Sequence, residues 1–89
     1  MEKTIQKLVL HRAKIAEGQF RALIKAVEAN DYCVDIMTQS LAIQNSLKSL
    51  NALVLTNHLQ EHVGHQLGQP KSRPKAIGEL VRLYTLSRK

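Results

Sequence analysis

Apolar residues recur at helical spacing almost from the start of the chain. Ile5, Leu8, Val9, Ala13, Ile15, Ala16, Phe20, Leu23, Ile24 and Val27 fill one broad face, which predicts an amphipathic helix over about residues 4–29. Gly18 interrupts it, at a cost of about 1 kcal/mol against alanine. On the far side, Lys3, Lys7, Lys14, Arg21 and Lys25 fall within about 40° of one another and form a basic stripe. Arg12 projects from the middle of the apolar face, where an unpaired charge is costly. It either snorkels to a rim, joins a polar cluster or meets DNA at a subunit boundary.

Asn30-Asp31 breaks the pattern, with Asp31 a good N-cap for a second helix and Asp35 near that helix's positive end. From Tyr32 to about Gln66 there is no proline, and Gly64 is the one glycine. This predicts an unbroken second helix of about 35 residues, over 32–66. Ile36, Ser40, Ile43, Leu47, Leu50 and Val54 alternate in steps of four and three along it, as in a coiled-coil seam. A helix that long spans roughly 50 Å, more than a compact domain of this size is wide. It must therefore extend along a partner. Leu67 to Pro74 reads as a linker, in which Gly68 and two prolines end the long helix. A short last helix comes next, over about 75–86, packing through Ile77, Leu80, Val81, Leu83 and Tyr84. The expected fold is all-α: three helices in one domain spanning residues 1–89.

The chain has 89 residues and one cysteine, so it is marginal as an isolated domain and has no internal disulfide to staple it. Oligomerisation is the remaining source of stability. No run of 18 apolar residues or leader-like start is present, which argues against a membrane span or a signal peptide. A lone reduced thiol suits the cytoplasm. The formal charge of +6 points to a polyanion. Phe20, Tyr32 and Tyr84 are the only aromatics, too few for stacking single-stranded bases. Duplex DNA held through its phosphates is the better match. The sequence has no H-E-x-x-H motif, no serine nucleophile motif and no Gly-rich phosphate loop. An enzyme acting on a small-molecule substrate is therefore not expected.

Cys33 lies 25 and 29 residues before His58 and His62. At about 100° per residue, an unbroken α-helix places the two histidines about 20° to either side of the cysteine. All three share one stripe yet lie roughly 40 Å apart along it. They can meet only if a second copy packs antiparallel, with Cys33 of one helix opposite His58 and His62 of the other. The dyad would then cross near residues 46 and 47. His58 and His62 are an i, i+4 pair with chelating reach, and the first-turn position of Cys33 favours its thiolate. One thiolate and two imidazoles suit Cu(I), or with further ligands Zn(II), Ni(II) or Co(II). The plain alternative is a small buried hydrophobe at Cys33 and an incidental surface pair at the histidines. His65, one turn on, is either a fourth ligand or a surface residue.

The run Asp31-Tyr32-Cys33-Val34-Asp35-Ile36-Met37, continued by Gln39, Ala42, Gln44, Ser46, Leu47 and Asn57-His58-Leu59, resembles the copper-sensing operon repressors, the CsoR family. The resemblance covers nearly the whole chain. It implies a homodimer built as an antiparallel four-helix bundle, with dimers pairing into a tetramer. It further implies an apo form that binds double-stranded operator DNA and represses metal-efflux genes, and a metal-bound form that releases it. On that pattern Cys33 comes from one protomer, and His58 and His62 from the other. Tyr32 and Glu79 match outer-shell residues that couple the metal to the DNA-binding conformation. Arg12 falls where the family uses an arginine for DNA, joined by Lys7, Lys14, Arg21 and Lys48.

Several positions depart from the family pattern. The copper branch usually carries a second cysteine where His62 stands. Glu61-His62-Val63-Gly64-His65-Gln66 is more similar to the nickel/cobalt branch, whose N-terminal histidine Met1-Glu2-Lys3-Thr4 does not supply. Persulfide sensing needs two thiols, and formaldehyde sensing a proline near the N-terminus. Ser49 stands at the apparent position of a mid-helix basic residue, with Lys48 beside it. Tyr32, Cys33, His58 and Glu79 all match the copper branch, so Cu(I) is the first choice of metal and Ni(II) or Co(II) the second.

Overall fold

The computed structural model describes the backbone of residues 1–88 and the side chains of all of these except 62–64. Among the described residues the chain is all helix, with no strand: α1 (Lys3–Glu28), α2 (Cys33–His58), a π-helical turn (Leu59–Val63), α3 (Gly64–Leu67) and α4 (Arg73–Ser87). It divides into two compact units, Met1–Leu55 and Thr56–Lys89. None of these helices is long and apolar enough to cross a membrane.

In the first unit, α1 starts from a cap that its sequence does not advertise. The Glu2 carboxylate accepts from the backbone N–H of Thr4 (2.8 Å) and Ile5 (3.2 Å), filling two of the donors a helix start leaves unpaired. Glutamate is not among the favoured N-cap residues. The other end closes as a Schellman motif. Asn30 takes φ 54, its N–H reaches Val27 O, and the N–H of Asp31 reaches Ala26 O at 3.0 Å. Asparagine tolerates this left-handed conformation better than most residues. Asp31 is thus spent on closing α1. Because α2 begins at Cys33, Tyr32 occupies the cap position expected of Asp31, and its carbonyl accepts from Asp35 and Ile36.

Two side-chain bridges set the direction of α2 against α1. Arg12 Nη1 donates to both the carbonyl and the hydroxyl oxygen of Ser49, and Ser46 Oγ donates to Gln19 Oε1 at 2.7 Å. Numbers rise along one helix as they fall along the other, so the helices run antiparallel. Ile43 (3% exposed), Ala16 and Ala26 are buried between them, with Ile5, Val9, Leu23, Ile36, Ser40 and Leu50 half-buried. The seam expected on α2 therefore faces α1 in the same chain, except that Leu47 points outward and Ser46 takes its place. The predicted apolar face of α1 is wider than α2 covers, and Leu8, Ile15, Phe20, Ile24 and Val27 stay about half exposed. Val34, Met37 and Leu41 form a further exposed apolar set on the other side of α2.

In the second unit the expectation of an unbroken α-helix over 32–66 fails in one detail. Helical residues do run without a gap to Leu67, but Leu59–Val63 is a π turn. The end of α3 is closed by side chains instead of a left-handed glycine. Ser72 Oγ donates to Gln66 O at 3.0 Å, and Arg73 Nε donates to Leu67 O at 2.9 Å. These occupy carbonyls that a helix end leaves unpaired. No described glycine takes a positive φ. The last helix starts at Arg73, two residues earlier than the linker reading allowed, because Pro74 sits in its first turn, where a missing N–H costs nothing. Its buried residue is Ala76 (1% exposed), with Leu80 half-buried. Ile77, Val81, Leu83 and Tyr84, expected to pack, are exposed, because Ala76 takes the inward position at the start of the helix.

Candidate metal centre

Cys33 is the first residue of α2 and His58 the last. The cysteine is exposed and its thiol free, and His58 is half-buried beside the buried Asn57. Twenty-five α-helical steps separate the two, so the arithmetic that puts them about 20° apart on one stripe applies. For His62 it does not. A π turn closes its hydrogen bonds one residue further along than an α turn, so the backbone rotates less per residue beyond His58. The side chain of His62 lies outside the described residues. His65 is exposed on α3. Among the described residues, no three of the His, Cys, Asp and Glu side chains converge as metal ligands. Tyr32, at the start of α2, is 71% exposed, and Glu79 is exposed on α4.

Two of the side chains are of types that could hold a thiophilic ion. Cys33 supplies a soft sulfur open to solvent, and His58 an imidazole at the opposite helix end. Such a mixed set suits Cu(I), or borderline ions in a harder coordination shell.

The basic stripe is laid out along α1 as its spacing predicted, with Lys3, Lys7, Lys14, Arg21 and Lys25 all exposed. Arg21 pairs with Glu17 at 2.9 Å, a surface ion pair worth little. Lys48 is exposed on α2. Arg12 is different. It is half-buried and lines an open hollow of about 370 Å³ with Ile15, Asn45, Ser46 and Ser49. Its bonds to Ser49 realise the polar cluster among the alternatives for this residue. The sequence reading overlooked Gln19 as a partner for Ser46. The signal was two serines, 46 and 49, one helical turn apart on the edge of α2 that borders α1.

A sequence profile described as metal-sensitive transcriptional repressor matches residues 5–85. The copper-sensing transcriptional repressor CsoR of Mycobacterium ulcerans is 40% identical over 55 residues, covering 62% of this chain and 47% of that protein. The chain thus spans about half the length of that relative. The copper-sensing transcriptional repressor RicR of Mycobacterium tuberculosis is 37% identical over 72 residues, covering 79% of this chain and 71% of that protein. Among solved structures, the copper-sensing repressor CsoR with Cu(I) from Geobacillus thermodenitrificans is similar with a TM-score of 0.87 and 30% identity. That match covers 100% of this chain and 92% of that one.

Proposed function

The chain belongs to the family of metal-sensitive transcriptional repressors, and on that footing we propose that it is a cytoplasmic Cu(I)-responsive repressor that holds duplex operator DNA when metal-free. Cys33 of one protomer and His58 and His62 of its partner would hold the metal. What supports this reading is that Cys33 opens α2 with an exposed, free thiol and His58 closes the same helix twenty-five residues later. Antiparallel pairing of two copies converts that separation into contact, with the dyad near residues 46 and 47. The exposed apolar residues of α2, Val34, Met37, Leu41 and Leu55, give such a pairing something to bury. Two of these four-helix dimers would form the tetramer, each chain acting as one sensing and DNA-binding domain.

Bound at this site, Cu(I) would link the two protomers through coordination by the Cys33 sulfur of one and the His58 and His62 rings of the other. Tyr32 and Glu79 would orient the ligands and couple them to the DNA-binding conformation. The DNA face consists of Lys7, Lys14 and Arg21 on α1, with Arg12 and Lys48. Loading the site lowers DNA affinity only if the metal-bound conformation grips DNA less well, and the coupling is reciprocal.

Ni(II) or Co(II) is the second reading, favoured by the single sulfur and by His65 one turn beyond His62. Titrating Cu(I), Ni(II), Co(II) and Zn(II) against protein bound to its own promoter fragment separates them, scored by DNA release. Release by Cu(I) alone supports the proposal; release by Ni(II) or Co(II) but not Cu(I) supports the second reading. Metal binding without any release would overturn both.

A further inference from the structure

We propose that the hollow beside Arg12 is a socket for one phosphate of the duplex DNA backbone, and that Ser49 is the positioning residue that aims Arg12 into it. The inference rests on the DNA-binding reading above. A guanidinium presents five N–H donors in a rigid planar fork. Here Nη1 is tied twice, to the carbonyl and the hydroxyl oxygen of Ser49. Both bonds leave from that one nitrogen, so Nε and Nη2 remain for a ligand. Among the described residues Arg12 has no carboxylate partner; the ion pair on this helix joins Arg21 to Glu17.

The other walls of the hollow are Ile15, Asn45 and Ser46. The Asn45 amide, the Ser49 hydroxyl and a held guanidinium, with no acid among the lining residues, suit an oxyanion. Lys48 is exposed three residues beyond Asn45 and so lies on the same side of α2, adding positive charge at the rim. An anchored arginine also spends less side-chain entropy on binding than a free one. This gives the serine a role that differs from that of a basic residue at the same position: it contacts the arginine instead of the DNA.

The test uses the metal-free full chain and a mixed-sequence duplex, with affinity measured between 50 and 200 mM KCl, about the range over which phosphate contacts separate by salt dependence. Arg12→Gln should reduce the slope of log K against log salt by about 0.9 for each protomer that engages DNA. Ser49→Ala keeps the charge, so it should leave the slope unchanged and weaken binding about two- to tenfold. Ser49→Thr, which retains a hydroxyl, should restore it. Arg12→Lys, charged but without a fork, should behave as Ser49→Ala does, and it keeps the test decisive if the alanine variant folds poorly. Wild-type affinity for Ser49→Ala at every salt, or an unchanged slope for Arg12→Gln, would overturn the socket. Inorganic phosphate at matched ionic strength should compete no better than chloride; competition abolished by Arg12→Gln would assign the hollow to free phosphate instead. A wild-type chain that does not bind the duplex would overturn the DNA-binding reading itself, a failure distinct from these.

Discussion

Two substitutions on opposite sides of α2 separate what one chain buries from what a second copy must bury. Ile43 is 3% exposed and Leu41 is 59% exposed. Truncating either to alanine removes three carbons, worth about 0.8 kcal/mol each when fully buried. For Ile43→Ala the transfer term is therefore about 2.4 kcal/mol, and a cavity term raises the expected loss to about 3–4 kcal/mol. For Leu41→Ala the same reasoning on a single chain gives only about 1 kcal/mol, because more than half of the side chain already meets water. If an antiparallel partner covers Leu41, its loss approaches that of Ile43. Stability then rises with protein concentration, as for any associating chain. Urea melts followed by circular dichroism, at two concentrations a hundredfold apart, read both quantities. A cost near 1 kcal/mol for Leu41→Ala, with concentration-independent midpoints, would refute pairing through this face of α2.

Other substitutions probe single links in the argument. Gly18→Ala should stabilise α1 by about 0.5–1 kcal/mol, since an added Cβ meets nothing within 4 Å; a lower melting temperature would mean that something covers this position. The backbone N–H of Thr4, and then that of Ile5, hold the Glu2 carboxyl below the usual carboxylate range. The stabilisation they give α1 is full above the ordinary glutamate value and is lost as pH falls through the depressed one. Protection of the Thr4 and Ile5 amides, the ratio of intrinsic to observed exchange rate, should fall in acid, and Glu2→Gln should remove that dependence. Cys33→Ser should leave metal-free DNA affinity within about twofold, since the residue is exposed and surface changes are mostly small. It should abolish DNA release by Cu(I); retained release would remove the thiolate from the site.

Much of this was legible in the chain because helical periodicity and turn residues are local signals. The face of α1, the break at Asn30-Asp31 and the reach of helical structure to about Gln66, one residue short of its end at Leu67, come from spacing and turn residues. The π turn at Leu59–Val63 was not legible, because counting at 3.6 residues per turn presupposes the regularity it would need to detect. Pro74 was read as an end and proved to be a beginning, since proline suits a first helical turn as well as a linker. Ile77, Val81 and Tyr84 have the spacing of a packing face but remain exposed in one protomer; periodicity marks a face that prefers burial without saying which chain buries it. Arg12 is the same lesson in polar form. Its misfit on an apolar face was visible, while its partner Ser49 lies 37 residues away, beyond the reach of local patterns.

The central claim, that one metal site is built from two chains, is tested most directly by subunit mixing. Cys33→Ala and His58→Ala proteins, each expected to ignore Cu(I) alone, are unfolded together, refolded and assayed for Cu(I)-driven release of promoter DNA. Half of the randomly paired dimers are mixed, and each of these carries one intact and one empty site, so roughly a quarter of the wild-type sites should return. Recovery of metal binding and partial DNA release in the mixture is the predicted result. No recovery on mixing, or full response from either variant by itself, would contradict an intersubunit site.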